Sequence, residues 1–254
     1  MTDSNLGPLS NETIAGGDST PAKSIWGIMI GVFTAPTEAF AEFKKKPQII
    51  IPLIAVLVLA GGAAALMAEY AGMMQYEMLQ HSTVIPPQAL EEMRQESLDP
   101  NRLTGGLFGG LAIVFFGLLS ALVAWFLGSV IFGKKADFKA VWGVELVAGL
   151  IPMVGGVLRL PMVYAKGSML VSYGLAALLP GKDFTSILFS FLYYADIFAI
   201  WGIIVAGIGY AAIFGLSRGK GIAIAVIAFV LFAMVSIALT AVGLSFAGVD
   251  ITFL

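Results

Sequence analysis

The chain has 254 residues, of which 59% are apolar and 12% charged, with a formal net charge of −2 and a mean hydropathy of +0.93. A water-facing domain carries about 25% charged residues, so this composition describes a membrane protein and excludes an ordinary soluble enzyme. Cysteine is absent and histidine occurs once, at His81. That excludes disulfides, thiolate metal centres and cysteine nucleophiles, and no cofactor, metal ion or nucleic acid is expected as a ligand.

Residues 1–24 are polar, with acids at Asp3, Glu12 and Asp18. No basic stretch followed by an apolar run occurs there, so a disordered cytoplasmic tail is expected rather than a cleavable signal peptide. Residues 25–47 read as an interfacial amphipathic segment. The apolar stretch from Ser24 to Phe33 covers only ~15 Å as helix, too little for a ~30 Å hydrocarbon core, and Trp26 suits a headgroup anchor. The run Thr34-Ala35-Pro36-Thr37-Glu38 is a helix start with a capping hydroxyl and an early proline. The helix that follows places Ala39, Phe40 and Phe43 on one face, directed at lipid, and Lys44, Lys45 and Lys46 at headgroup level. Glu42 and Lys46 are spaced for an i,i+4 pair, and Pro47 ends the helix.

Residues 48–254 form the membrane domain. Its five strong apolar runs are Ile49 to Met67, Leu107 to Phe132, Val141 to about Leu158, about Phe191 to Leu216, and Ile222 to Phe246. A polar outer loop, residues 69–103, separates the first two; it carries a Pro86-Pro87 break and a short helix over Gln88–Leu98. A weaker stretch from Leu160 to Leu179 is interrupted by Pro161, Lys166 and Gly167.

Charge decides whether that stretch crosses. With five spans and the N-terminus inside, the inner segments hold Lys23, Lys44, Lys45, Lys46, Lys134, Lys135, Lys139, Arg218 and Lys220. The outer segments hold Arg94, Arg102, Arg159, Lys166 and Lys182. A sixth span would move Arg218 and Lys220 outside, against the positive-inside rule. The expected fold is therefore an all-α polytopic membrane bundle of five transmembrane helices, N-in and C-out. An amphipathic interfacial helix precedes it, and 160–179 is re-entrant or interfacial.

Three motif-like strings carry little. Gly128 to Lys135 nearly matches a P-loop but has Lys135 where the magnesium-binding hydroxyl belongs. Gly215-Leu216-Ser217-Arg218-Gly219 has the spacing of a nucleophile elbow, yet His81 lies across the membrane. Met67, Met73, Met74, Met78 and Met93 beside His81 could hold Cu(I), but methionine is also an ordinary packing residue.

Charges within or near the hydrocarbon are costly and face a partner or a cavity. Glu145 is expected near the inner face, within reach of Lys139 or Arg218. Arg159 and Asp196 are expected together near the outer face. Gly105/Gly109 and Gly106/Gly110 form overlapping small-residue pairs on the second span, and Gly202 and Gly207 begin similar pairs on the fourth. Such faces serve packing within the bundle or self-association.

Residues Trp26 to Pro52, together with Asp196 to Gly209 and the basic turn Arg218–Lys220, resemble bacterial members of the Ypt-interacting protein (Yip) domain family. The resemblance runs from about Ile25 to Gly243. It implies a five-helix membrane domain with a cytoplasmic N-terminus, here in a bacterial inner membrane, and it supplies no catalytic residue. Eukaryotic members are associated with Rab-type GTPases. Their D-L-Y-G-P signature has no counterpart here, where Phe33-Thr34-Ala35-Pro36 stands nearest, so GTPase binding does not carry over. The expected function is a non-enzymatic scaffold or adaptor whose partners are the lipid bilayer and other membrane proteins or itself. A transporter or channel component using Glu145, Arg159 and Asp196 is the alternative.

Overall fold

A computed structural model of the chain describes residues 24–180 and 185–251. Residues 1–23, which hold nearly all of the expected tail, lie outside that range, as does Lys182 of the charge count. The regular elements among the described residues are helical.

Two short helices come first, α1 (Ile25–Gly31) and α2 (Pro36–Lys45). The Ser24 hydroxyl caps α1 by accepting from the Gly27 amide at 3.2 Å. Helix α2 starts on Pro36, whose fixed φ suits a first turn. Ala35 stands at its cap, and the expected hydroxyl is not used.

Helix α3 (Ile50–Leu79) has 30 residues, about 45 Å at 1.5 Å per residue, more than the hydrocarbon needs. Its last turns project beyond the apolar run, and α4 (Pro87–Leu98) folds back onto them, with Gly72 facing Ser97. Much of the expected outer loop 69–103 is thus a helical hairpin. At its tip the Ser82 hydroxyl accepts from the amides of Val84 (3.1 Å) and Ile85 (2.9 Å).

Helix α5 (Arg102–Phe126) is capped by Asn101 and prolonged by a π-helical turn, Leu127–Ile131. Helix α6 (Phe138–Lys166) is capped by Asp137 and runs through both Pro152 and Pro161. This corrects the expected end near Leu158: Leu160–Lys166 belong to the third span, and only the remainder of 160–179 is irregular, with one 3-10 turn at Leu175–Leu178. Prolines are tolerated in spanning helices where the surroundings re-satisfy the freed backbone groups and leave room for the ring. Here Gly202 lies against the Pro152 ring, which an added Cβ would meet at 3.1 Å.

The fourth apolar run is also two pieces, α7 (Ile187–Tyr194) and α8 (Ile197–Phe214). Asp196 breaks it. Its extended backbone and its carboxylate, which accepts from the Ala199 amide at 2.8 Å, make it the N-cap of α8. Gly215, at φ +65°, ends α8, and Ser217 begins α9 (Arg218–Phe246). The elbow-like Gly215–Gly219 string is therefore a helix-to-helix turn.

Helices α3, α5, α6, α8 and α9 are long and apolar enough to cross a membrane. Helix α6 packs on α3, α5 and α8, while α9 closes against α5 and α8. The core is built from Val144, Val147 and Ile151 of α6, Val205 and Tyr210 of α8, and Ile224 of α9. Phe40 and Phe43 join it, each fully buried, which corrects their assignment to the lipid face. An added Cβ on Gly209 would come within 3.0 Å of the Phe40 ring, and one on Gly143 would strike Phe43. Bare glycine backbone on α6 and α8 forms the two recesses, and close packing there outweighs exposure to lipid.

Candidate functional site

Polar side chains at membrane level gather in two places. The first joins three helices. The Tyr210 hydroxyl of α8 donates to Oε2 of Glu145 on α6, and Ser120 of α5 supplies a second side-chain hydrogen bond. A Cβ added to Gly117, one turn before Ser120, would meet the Glu145 side chain at 3.8 Å. The expected cationic partners are elsewhere. Lys139 is exposed, and Arg218 donates to the Thr37 hydroxyl at 3.3 Å. Lys139 starts six positions earlier on the same helix, ~9 Å along the axis. Arg218 is drawn toward α2, where the docked Phe40 and Phe43 hold Thr37 within reach.

The second cluster sits at the other end of α6. Arg159 Nη2 lies 3.3 Å from Asp196 Oδ2, with both side chains largely buried. Nη1 donates to the Tyr193 hydroxyl at 2.5 Å, which in turn donates to the Met169 carbonyl at 3.0 Å. The guanidinium also stands 5.2 Å from the Tyr193 ring centroid. One carboxylate thus caps α8 and balances Arg159 at once. This explains why a charge persists at a helix break so near the apolar region.

Glu145 and Arg159 are 14 positions apart on α6, about 21 Å, and the structure does not bring them together. Sequence reasoning found the three charges and missed Ser120, Tyr193 and Tyr210. Their signal was a hydroxyl inside an apolar run, which must find a partner when buried.

The glycine faces are spent inside the bundle. Gly106 and Gly110 lie against the backbone of Gly61 and Leu57 on α3, where an added Cβ would come within 2.8 Å and 3.2 Å of carbonyl oxygens. Gly105 and Gly109 face Ala68 and Ala64. Gly202 meets Pro152, and Gly207 meets Ile222 on α9. Trp26 remains exposed on α1. Lys44, Lys45 and Lys46 are exposed as well: Lys44 donates to the Ala212 carbonyl at 2.7 Å, and Lys45 pairs with Glu42 at 2.6 Å. Glu42 therefore takes Lys45 at i+3 instead of the expected Lys46.

This constellation defines a polytopic bundle in which Glu145 is held by hydroxyls and Arg159 by Asp196 and Tyr193, with the Arg159 Nε left buried and unpaired among the described residues. Residues 30–240 match the Yip1 domain, and the chain belongs to the Yip1 domain family. With five helices fit to cross a bilayer, it is an integral multi-pass membrane protein. No curated protein and no solved structure gives a significant match.

Proposed function

We propose that this protein is a non-enzymatic scaffold or adaptor of the bacterial inner membrane, N-in and C-out, which holds other membrane proteins, or organises the bilayer around itself. The observation that carries this reading is the filled interior. Phe40, Phe43, Val144, Ile151, Tyr210 and Ile224 are all fully buried, so the molecule meets others through its outer surface. That surface has apolar ridges of its own, Leu107, Phe108, Phe115 and Phe126 on α5, and Met234, Leu239 and Val242 on α9. A transporter or channel component is the second reading. It is favoured by Glu145, a carboxylate between three spans with no ion-pair partner among the described residues.

Photo-crosslinking in cells and flux in liposomes separate the two. Crosslinkers at Phe108 and Phe115 are expected to give discrete, position-dependent protein adducts, with no solute flux from reconstituted protein. A saturable flux abolished by Glu145→Gln would overturn the scaffold and establish the transporter.

A further inference from the structure

Charge is divided unequally between the two ends of the bundle. The end bearing α1, α2, the 132–137 turn and the α8–α9 turn holds Lys44, Lys45, Lys46, Lys134, Lys135, Lys139, Arg218 and Lys220, all exposed. Among the described residues only Glu38, Glu42 and Asp137 oppose them there. The other end has Arg94, Arg102, Arg159 and Lys166 among eight acids, counted over the described residues.

The basic end is assembled from three separate segments, and named contacts fix them beside one another. Lys44 of α2 reaches the C-terminal turn of α8. Arg218 at the start of α9 reaches Thr37 of α2. Lys220, two residues on, stands 5.7 Å from the centroid of the Phe132 ring, just ahead of Lys134 and Lys135. Among the described residues no acidic side chain pairs with Lys134, Lys135 or Lys220.

The neighbours of these lysines are apolar and outward. Val130 is 58% exposed and Ile131 61%, and two residues separate them from Lys134. An anionic glycerophospholipid has the same order along its length: acyl chain, then phosphate. A soluble acidic protein would match the charge and leave the adjoining apolar surface uncovered. We propose that Lys134, Lys135 and Lys220, with Phe132 between them, form a binding site for the phosphate headgroup of an anionic phospholipid. Arg218 and Lys44–Lys46 extend its positive field along α2. The site does not depend on the scaffold reading, since a transporter of this fold would carry it equally.

The full-length protein, purified in detergent with equimolar phosphatidylcholine and phosphatidylglycerol, provides the test. Retained lipid is counted by native mass spectrometry. Phosphatidylglycerol should be enriched about fivefold over phosphatidylcholine, and the enrichment should fall as salt rises. The triple variant Lys134→Gln, Lys135→Gln, Lys220→Gln should return the ratio close to one. The corresponding Lys→Arg triple, which keeps the charge, should retain the enrichment and shows that folding is intact. Arg94→Gln with Lys166→Gln, at the opposite end, should change nothing. Wild-type protein that mirrors the input ratio overturns the site. So does a Gln triple that keeps the enrichment, or an opposite-end variant that loses it equally.

Discussion

Arg159 and Asp196 stand 37 positions apart in the chain and meet at 3.3 Å, on the carboxylate that also caps α8. The double duty separates the effects of substitutions. Asp196→Asn keeps a capping oxygen and loses the charge, which should cost ~1–3 kcal/mol by stranding Arg159. Asp196→Ala loses the cap as well, a further ~1 kcal/mol. Exchanging the two residues should restore little, because an arginine at 196 cannot cap. Melting temperatures in detergent that are equal for wild type and both Asp196 variants would remove the pair from the account.

The recesses at Gly143 and Gly209 should make α2 sensitive to its two phenylalanines. Phe43→Ala empties a filled site, at roughly 3–5 kcal/mol for a buried ring. The loss falls first on α2, the element it anchors. Trypsin should therefore cut faster after Lys44 and Lys45, Lys46 being shielded by Pro47, while the five long helices keep their far-UV signal. Unchanged cleavage would mean that Phe43 does not anchor α2.

Glycine positions on α3 offer a matched contrast. Gly61 faces the Gly106 carbonyl, which an added Cβ would meet at 2.9 Å, whereas Gly62 has nothing within 4 Å. Gly61→Val should destabilise by about 1–3 kcal/mol through overpacking, and Gly62→Val should not. Thermal unfolding of the two variants side by side checks the α3–α5 interface.

Tyr210→Phe removes the hydroxyl that donates to Glu145, leaving a carboxylate with fewer donors. The expected loss is ~1–3 kcal/mol. Glu145→Gln keeps an acceptor for Tyr210 and should cost less. If Tyr210→Phe were the milder of the two, Glu145 would have to be held by something other than Tyr210.

On α4 the Glu91 carboxyl is lowered from 4.5 to about 2, first by the hydrogen bonds from Arg94 and then by that from Gln95. A depressed carboxyl stabilises the fold above its unfolded value, and that contribution fades as pH falls from 4.5 toward about 2. Carbon-13 NMR of the Glu91 carboxyl should give a midpoint near that lower value, moving up in Arg94→Gln and in high salt. A wild-type midpoint at the ordinary value would show the pair to be broken in solution.

Much of the fold was legible because lipid imposes a simple rule: long apolar runs become helices. Five crossings followed from the runs, and Arg159 with Asp196 followed from the opposed directions of two spans. Boundaries inside the apolar stretches were not legible. Pro161 reads as a stop, yet α6 passes through it. Asp196 reads as a charge within a run, yet it divides α7 from α8. Phe40 and Phe43 misled for a related reason. An amphipathic helix shows which face is apolar, but not whether lipid or protein covers it, and the decisive glycines lie 100 positions away on α6 and, farther still, on α8.

The tip of the α3–α4 hairpin bears on how the molecule is made. The Ser82 hydroxyl donates to the carbonyl of Ala247, and the Thr83 amide and hydroxyl reach Gly248 at 3.4 Å and 3.2 Å. These acceptors follow the fifth spanning helix, α9, and are synthesised only after it. During insertion the first hairpin must therefore wait, its tip unfastened, until the fifth helix has emerged on the same side. A chain that stops short of residue 247 lacks that fastening, even with its five apolar segments in place.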